Sequence, residues 1–341
     1  LAHFDADLAW CGNAFTSIPQ DTNQEARFMF KNMIGQSPNF ESLLRSAGLV
    51  AATDVTVLVT GETGTGKEVL AHALQQHGPR ADKPFITLNC AALPETLAES
   101  ELFGHRKGAF TGATGHQIGR LQAAHSGTVF LDEVDSLPVA LQAKLLRFLE
   151  SGEIQPVGET QSQFVDVRII AATNANLQQK INQGEFRRDL YYRLNVVPLE
   201  IPPLRERMGD IHLLITHFMK AFAGEHRLSP ATFSRSAMTR LTQYPWPGNV
   251  RELRNVCERL CIFLAGRVIE ETNLPYEILH QASSEKPVFA LPEFGIQLDE
   301  LETDLIRQAL SRTQGNRTRS ARLLGISRDT LLYRMQKYGI S

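Results

Sequence analysis

Residues 61–67 read Gly61, Glu62, Thr63, Gly64, Thr65, Gly66, Lys67 and follow a short apolar run. Glycines at this density permit so tight a turn that backbone N–H groups, and the N-terminus of a helix predicted over 68–76, face one anion. The Lys67 ammonium then falls at the β- and γ-phosphates of a nucleotide. Ser or Thr usually follows such a lysine and binds Mg2+; here Glu68 stands there, leaving the direct metal ligand open. A second apolar run, 128–131, ends in Asp132 and Glu133. Asp132 is placed to hold Mg2+ through water and Glu133 to polarise an attacking water. Paired acids at a strand end are often only solvated, but following a phosphate loop they read as hydrolytic machinery.

Two further constellations are not hydrolytic. Gly108, Ala109, Phe110, Thr111, Gly112 and Ala113 lie between the phosphate loop and the acid pair. Glycines at both ends let this segment fold down or stand out. Phe110 exposed at its tip is costly unless it meets a partner, and Thr111 adds a directional hydroxyl. The alternative is a surface hairpin with Phe110 tucked into the core. Near the C-terminus, Ala321 is small where two helices cross, Gly325 allows a turn, Ser327 caps the next helix, and Leu331 and Met335 face inward. That helix-turn-helix leaves Arg317, Arg319, Arg328, Thr330, Tyr333, Arg334 and Lys337 for a DNA groove and phosphates. A solvated helical hairpin is the bland alternative.

The elements that position these groups alternate. Runs 55–60, 85–88, 128–131, 167–172 and 196–201 are short, β-branched and nearly continuous in apolar character, as suits central strands of a parallel sheet covered on both faces. Helical patterns between them imply an α/β sandwich. Beyond Leu204 the chain turns helical, with Asp210, Ser229 followed by Pro230, and Asn249 as expected helix starts. The spacing predicts an N-terminal linker remnant at 1–30, a nucleotide-binding subdomain at 31–205, a helical lid at 206–276, a linker at 277–296 and a DNA-binding domain at 297–341.

The 341 residues, 43% hydrophobic and 21% charged, suit a globular protein of two or three domains. The net charge of −2 hides a basic tail: after Asp304 there are eight Lys and Arg against Asp329 alone. Cys11, Cys90, Cys257 and Cys261 show no disulfide spacing, which fits a reducing cytoplasm. Cys257 and Cys261 lie a helical turn apart without the ligands of a metal site nearby, so helix packing is expected. No membrane segment or signal peptide is expected. Leu1 in place of Met points to a fragment or processed product.

The hexapeptide at 108–113, set between phosphate loop and acid pair, resembles the bacterial enhancer-binding activators of sigma-54 RNA polymerase, a branch of the AAA+ ATPases. The similarity spans roughly 31–341 and extends to Ala-Ala-Thr-Asn174, to the segment 186–193, to the segment 246–255 and to a Fis-type C-terminus. The expected fold is an AAA+ P-loop α/β/α sandwich with a helical lid and an all-α helix-turn-helix domain.

The resemblance also implies roles. Asn89 gates Glu133, Asn174 senses the γ-phosphate, and Arg251 reaches back from the lid to the nucleotide. Arg187 and Arg193 serve as fingers in a neighbour's site; otherwise they pair with Asp189 or Glu185 on a solvated face. The 108–113 loop touches the sigma factor, with residues 134–142 beside it as a second mobile element or a simple strand-to-helix turn. An acid at position 68 is usual in this family. Arg106 stands where relatives often have Glu, which puts the local ion pairs in question.

The implied protein binds ATP and Mg2+ and pairs through Leu298, Leu301, Leu305, Ile306 and Leu310. It assembles into a ring, a hexamer by family expectation, binds enhancer DNA and remodels the sigma-54 polymerase closed complex. Its control signal is expected from a separate protein or a missing N-terminal part. A repressor using ATP only for assembly, or a replication or repair ATPase, leaves the hexapeptide unexplained.

Overall fold

The computed structural model describes residues 29–280 except Thr111, and 297–340 except Gln314, leaving aside the Glu95 side chain. Most of both expected linkers, 1–28 and 281–296, lies outside the described residues. The chain forms two units divided after His280.

The first unit is built on five parallel strands, β1 (Val57–Thr60), β2 (Phe85–Asn89), β3 (Thr128–Asp132), β4 (Arg168–Thr173) and β5 (Val197–Glu200), in the order β2-β3-β4-β1-β5. Successive strand residues point to opposite faces, and both faces are covered. Val57, Val59, Phe130, Ile170 and Ala172 pack with Leu70 and Leu74 and with helix α1 (Pro38–Ala51). Leu58, Val129, Leu131, Ile169 and Ala171 pack on the other side with Leu102, Leu145 and Leu190. This is why the runs read as continuously apolar. Phe30, at the end of the segment expected to be linker, is 1% exposed and belongs to the first of these layers. Because all five strands run one way, Thr60, Asn89, Asp132 and Thr173 finish at one edge of the sheet, where ligands gather in open α/β folds.

Residues beyond Leu204 form the helical part of this unit, with a core around the fully buried Trp246. Its helices are Ile211–Glu225, Arg235–Gln243 and Asn249–Phe263. The start at Asp210 stands without its side-chain cap, and the other two shift. Asp210 does sit at an N-cap, but its carboxylate accepts from the backbone of Gln36 and Ser37 and the Ser37 hydroxyl rather than from its own helix. The second helix is capped by Ser234, not Ser229, because residues 232–233 pair with 268–269 first. Asn249 is the first helical residue at φ 52°, its side chain spent elsewhere. Cys257 and Cys261 are buried in this core, and burial pushes the Cys257 thiol up to about 12. No described helix is long and apolar enough to cross a membrane.

The second unit is three helices, Leu298–Arg312, Arg317–Leu323 and Arg328–Lys337. Ile306, Ala321, Leu331 and Met335 form its core, Gly325 turns at φ 66°, and the Ser327 hydroxyl accepts from the Thr330 N–H at 3.1 Å.

Candidate functional site

The phosphate-loop segment leaves β1 and enters helix Lys67–Gln76. Lys67 Nζ donates to the carbonyls of Gly61 (2.8 Å) and Glu62 (3.1 Å), and burial lowers its pKa against the opposing charges of Asp132 and Glu133. A cation so held, beside two carboxylates and at a helix N-terminus, suits a triphosphate with a divalent ion. Gly64 is required sterically: a Cβ there meets the Gly248 carbonyl at 2.3 Å. Thr65 is buried with its hydroxyl on the Glu62 carbonyl, and Glu68 is exposed on the helix.

Asn89 and Asp132 are register partners on neighbouring strands. The Asn89 side-chain oxygen accepts from the Ala92 N–H at 3.0 Å, closing a turn. Asp132 accepts from the Glu133 N–H, and Glu133 itself sits at φ 53°, a strained conformation for a non-glycine. Asn174 Nδ2 donates to the Thr63 hydroxyl at 3.0 Å, bringing the end of β4 onto the loop.

The lid grips this loop with Asn249 and Arg251 of the 246–255 segment and with two arginines the motifs did not flag. Arg205 forks onto the Glu62 carboxylate at 2.7 and 2.8 Å. Asn249 Nδ2 donates to Glu62 and to the Thr63 carbonyl, both at 3.1 Å, while its Oδ1 accepts from the Leu204 N–H. These bonds, that from Arg205 foremost, hold the Glu62 carboxyl below the usual glutamate range. Arg207 is 3% exposed, lies 4.4 Å over the Phe40 ring and reaches the Thr65 carbonyl; burial lowers it to about 10, still a cation at neutral pH. The Arg251 N–H donates to the Gly64 carbonyl at 3.2 Å, with its side chain exposed. The sequence offered only Arg205 and Arg207 as charges after two prolines; their partners are far along the chain.

Arg187 forms an exposed pair with Asp189 at 2.6 Å, and Arg193 donates to the Leu149 carbonyl at 2.7 and 3.0 Å. Both side chains are therefore held within their own chain, by one of the pairings the sequence allowed or by a helix end.

Helix Glu95–Phe103 follows β2 and delivers the chain to a ribbon, Gly104–His105 with Gln117–Ile118, whose loop carries residues 108–113. Thr111 lies outside the described residues. Gly108 donates to the Ala113 carbonyl and Ala113 to the Phe110 carbonyl; the glycines at 108 and 112 have φ 83° and 104°. Ala113 is buried, and Ala109 packs near Gly158. Phe110 is neither free nor swallowed: it is 36% exposed, its ring edge-on to His105 at 5.0 Å.

The hairpin around 153–164 lies beside this loop. Arg106 N–H donates to Val157 O, Val157 N–H to Gly104 O, and the Arg106 side chain pairs with Glu159. Residues 134–142 are a 3-10 turn running into helix Val139–Ser151, locked by Asp135, which accepts from Thr173 and pairs with Lys180.

In the second unit Arg317, Arg319, Arg328 and Tyr333 are exposed and Thr330 is half-buried. Arg334 instead pairs with Glu302, and Lys337 with Asp299 at 3.3 Å, tying the last helix to the first. Of the five expected dimer residues, Ile306 and Leu310 serve the unit's own core, whereas Leu298 and Leu305 stay at the surface.

Three family models cover the chain: the sigma-54 interaction domain over residues 33–200, the AAA+ ATPase lid domain over 205–290, and the bacterial regulatory protein, Fis family, over 297–338. The transcriptional regulatory protein ZraR of Escherichia coli K12 is 47% identical over 305 residues, 89% of this chain and 68% of that protein. The DNA-binding transcriptional regulator NtrC of Salmonella typhimurium is 41% identical over 342 residues, 94% and 73% of the two chains. Among solved structures, NtrX from Brucella abortus in complex with ADP aligns with TM-score 0.69 and 34% identity over 93% of this chain and 72% of its own. Its complex with ATP aligns with TM-score 0.67 at the same identity, over 90% and 69%. The chain belongs to the sigma-54-dependent transcriptional activators, AAA+ ATPases with a Fis-type helix-turn-helix.

Proposed function

We propose that this protein binds enhancer DNA through residues 297–341 and uses ATP hydrolysis to remodel the sigma-54 polymerase closed complex. The observation that carries the reading is the placement of the Phe110 loop on the helix that leaves the Asn89 strand, one strand from Asp132 and Glu133. The acid pair is thereby joined to the aromatic tip through one strand pairing, one helix and one two-stranded ribbon.

In this reading, residues 61–68 cradle the phosphates through backbone N–H groups and Lys67, and Asp132 holds Mg2+, which supplies charge neutralisation. Glu133 takes a proton from the attacking water as its oxygen bonds to the γ-phosphorus and the β–γ bridge breaks. Asn89 restrains Glu133 until the loop engages, Asn174 and Arg251 report the γ-phosphate, and Arg187 and Arg193 leave their present partners to serve a neighbour in a ring, a hexamer in this reading. Residues 108–113 meet the sigma factor; Arg317, Arg319, Arg328, Thr330, Tyr333, Arg334 and Lys337 meet DNA, the last two after releasing Glu302 and Asp299.

Promoter opening with sigma-54 polymerase, comparing the unaltered chain with Glu133→Ala, tests this. The variant is expected to bind ATP and DNA yet open nothing; opening at the normal rate refutes it.

A further inference from the structure

Gln142 lies on the first turn of helix Val139–Ser151 and is fully buried. Its Nε2 donates to the carbonyls of Leu137 (2.8 Å) and Glu185 (2.9 Å), and its Oε1 accepts from the Arg187 N–H at 2.8 Å. One side chain therefore bridges the segment descending from Glu133 to the backbone on both sides of Phe186. The same turn is held a second time. Lys180 Nζ pairs with the Asp135 carboxylate at 2.9 Å and donates to the Asp135 carbonyl, while the Lys180 carbonyl accepts from the Glu185 N–H. Asp135 in turn accepts from Thr173, the residue before Asn174. A buried polar side chain with every donor and acceptor satisfied by backbone fixes geometry that apolar packing leaves free to slide.

We infer that Gln142 is a positioning residue for Arg187: it sets the arginine offered to the adjacent subunit from the state of the subunit's own Glu133 and Asn174. This rests on the proposed intersubunit role of Arg187. The network joins the two ends of a relay, one subunit's acid pair and γ-phosphate sensor at one end and the group that completes its neighbour's site at the other. Hydrolysis in one subunit is thereby coupled to the competence of the next.

Gln142→Met keeps the length and removes the bridge. In the full chain, nucleotide affinity is expected to stay unchanged while kcat falls about 10²-fold, the scale of a positional error near 1 Å. The deciding measurement is ATPase complementation. Gln142→Met subunits keep an intact Lys67 and Glu133 but misplace Arg187; Glu133→Ala subunits lack the base but present Arg187 correctly. Mixing the two inactive proteins is expected to restore hydrolysis above either alone. Arg187→Ala mixed with Glu133→Ala is the control. If the control complements and the Gln142 mixture does not, Gln142 acts on its own subunit's site and the inference is wrong, with the role of Arg187 intact. If neither complements, both are wrong. Should Gln142→Met fail to fold, Gln142→Leu, smaller and likewise unable to bridge, is read by the same mixture.

Discussion

Glycines in the phosphate loop and in the 108–113 loop share a residue type and a positive φ, yet they do opposite work. A Cβ on Gly64 would strike the Gly248 carbonyl at 2.3 Å and the Arg251 Cβ at 3.0 Å, so the lid needs that hydrogen to come this close. A Cβ on Gly108 or Gly112 meets nothing within 4 Å. The first loop is clamped from outside by Arg205, Arg207 and Asn249; the second is an arch held by its own backbone bonds, with Phe110 leaning on His105. The first follows a strand of the five-stranded sheet and is held by distant side chains; the second closes a separate two-stranded ribbon and has open space around its glycines.

The largest expected effect breaks the clamped side. Lys67→Ala is expected to cost about 2–5 kcal/mol of nucleotide binding, as truncation of a buried charge partner does; an unchanged ATP affinity in calorimetry contradicts the phosphate-loop assignment. Next comes the glycine contrast itself. Gly64→Ala combines a left-handed penalty of about 1–2 kcal/mol with overpacking of about 1–3 kcal/mol, so thermal stability and ATP binding should both fall. Gly112→Ala carries only the conformational penalty, so hydrolysis should persist while promoter opening is lost. Equal drops in melting temperature for the two variants would erase the distinction.

Smaller effects sharpen it. Arg106→Glu loses an exposed pair with Glu159 and is expected to lower stability only slightly, with the reversed pair Arg106→Glu, Glu159→Arg restoring it in a double-mutant cycle. An additive cycle would mean that the backbone bonds to Val157 alone join the loop to its neighbouring hairpin. The smallest is a pH effect at Glu62. Its folded pKa is depressed, so its contribution is complete above the ordinary glutamate value and is lost as pH falls through the lower folded value. Arg205→Met should remove this acid-side loss from the stability profile, and a profile unchanged in that window would show that the clamp adds nothing.

The parallel sheet was legible because its three inner strands bury both faces, and the glycine, lysine and acid positions because phosphate chemistry imposes them at fixed spacing. Helix starts in the lid were less so. Asp210, Ser229 and Asn249 all have the composition of caps, but a cap residue is only available if no distant group claims its side chain. Asp210 is taken by residues 36–37 and Asn249 by Glu62 and Thr63. The same limit applies to the basic tail, where Arg334 and Lys337, expected at the groove, pair with Glu302 and Asp299 of the first helix.

By itself, then, the sequence determined which chemistry the chain can perform and the order of its parts, since motifs of a few adjacent residues encode a turn, a charge and a strand end together. Tertiary structure alone decided which polar side chains are free for that chemistry and which are spent as ties. Arg205 on Glu62, Gln142 on Arg187 and the 153–164 hairpin beside the Phe110 loop all join residues dozens of positions apart. Such pairings depend on how strands and helices stack in space, and no local spacing records them.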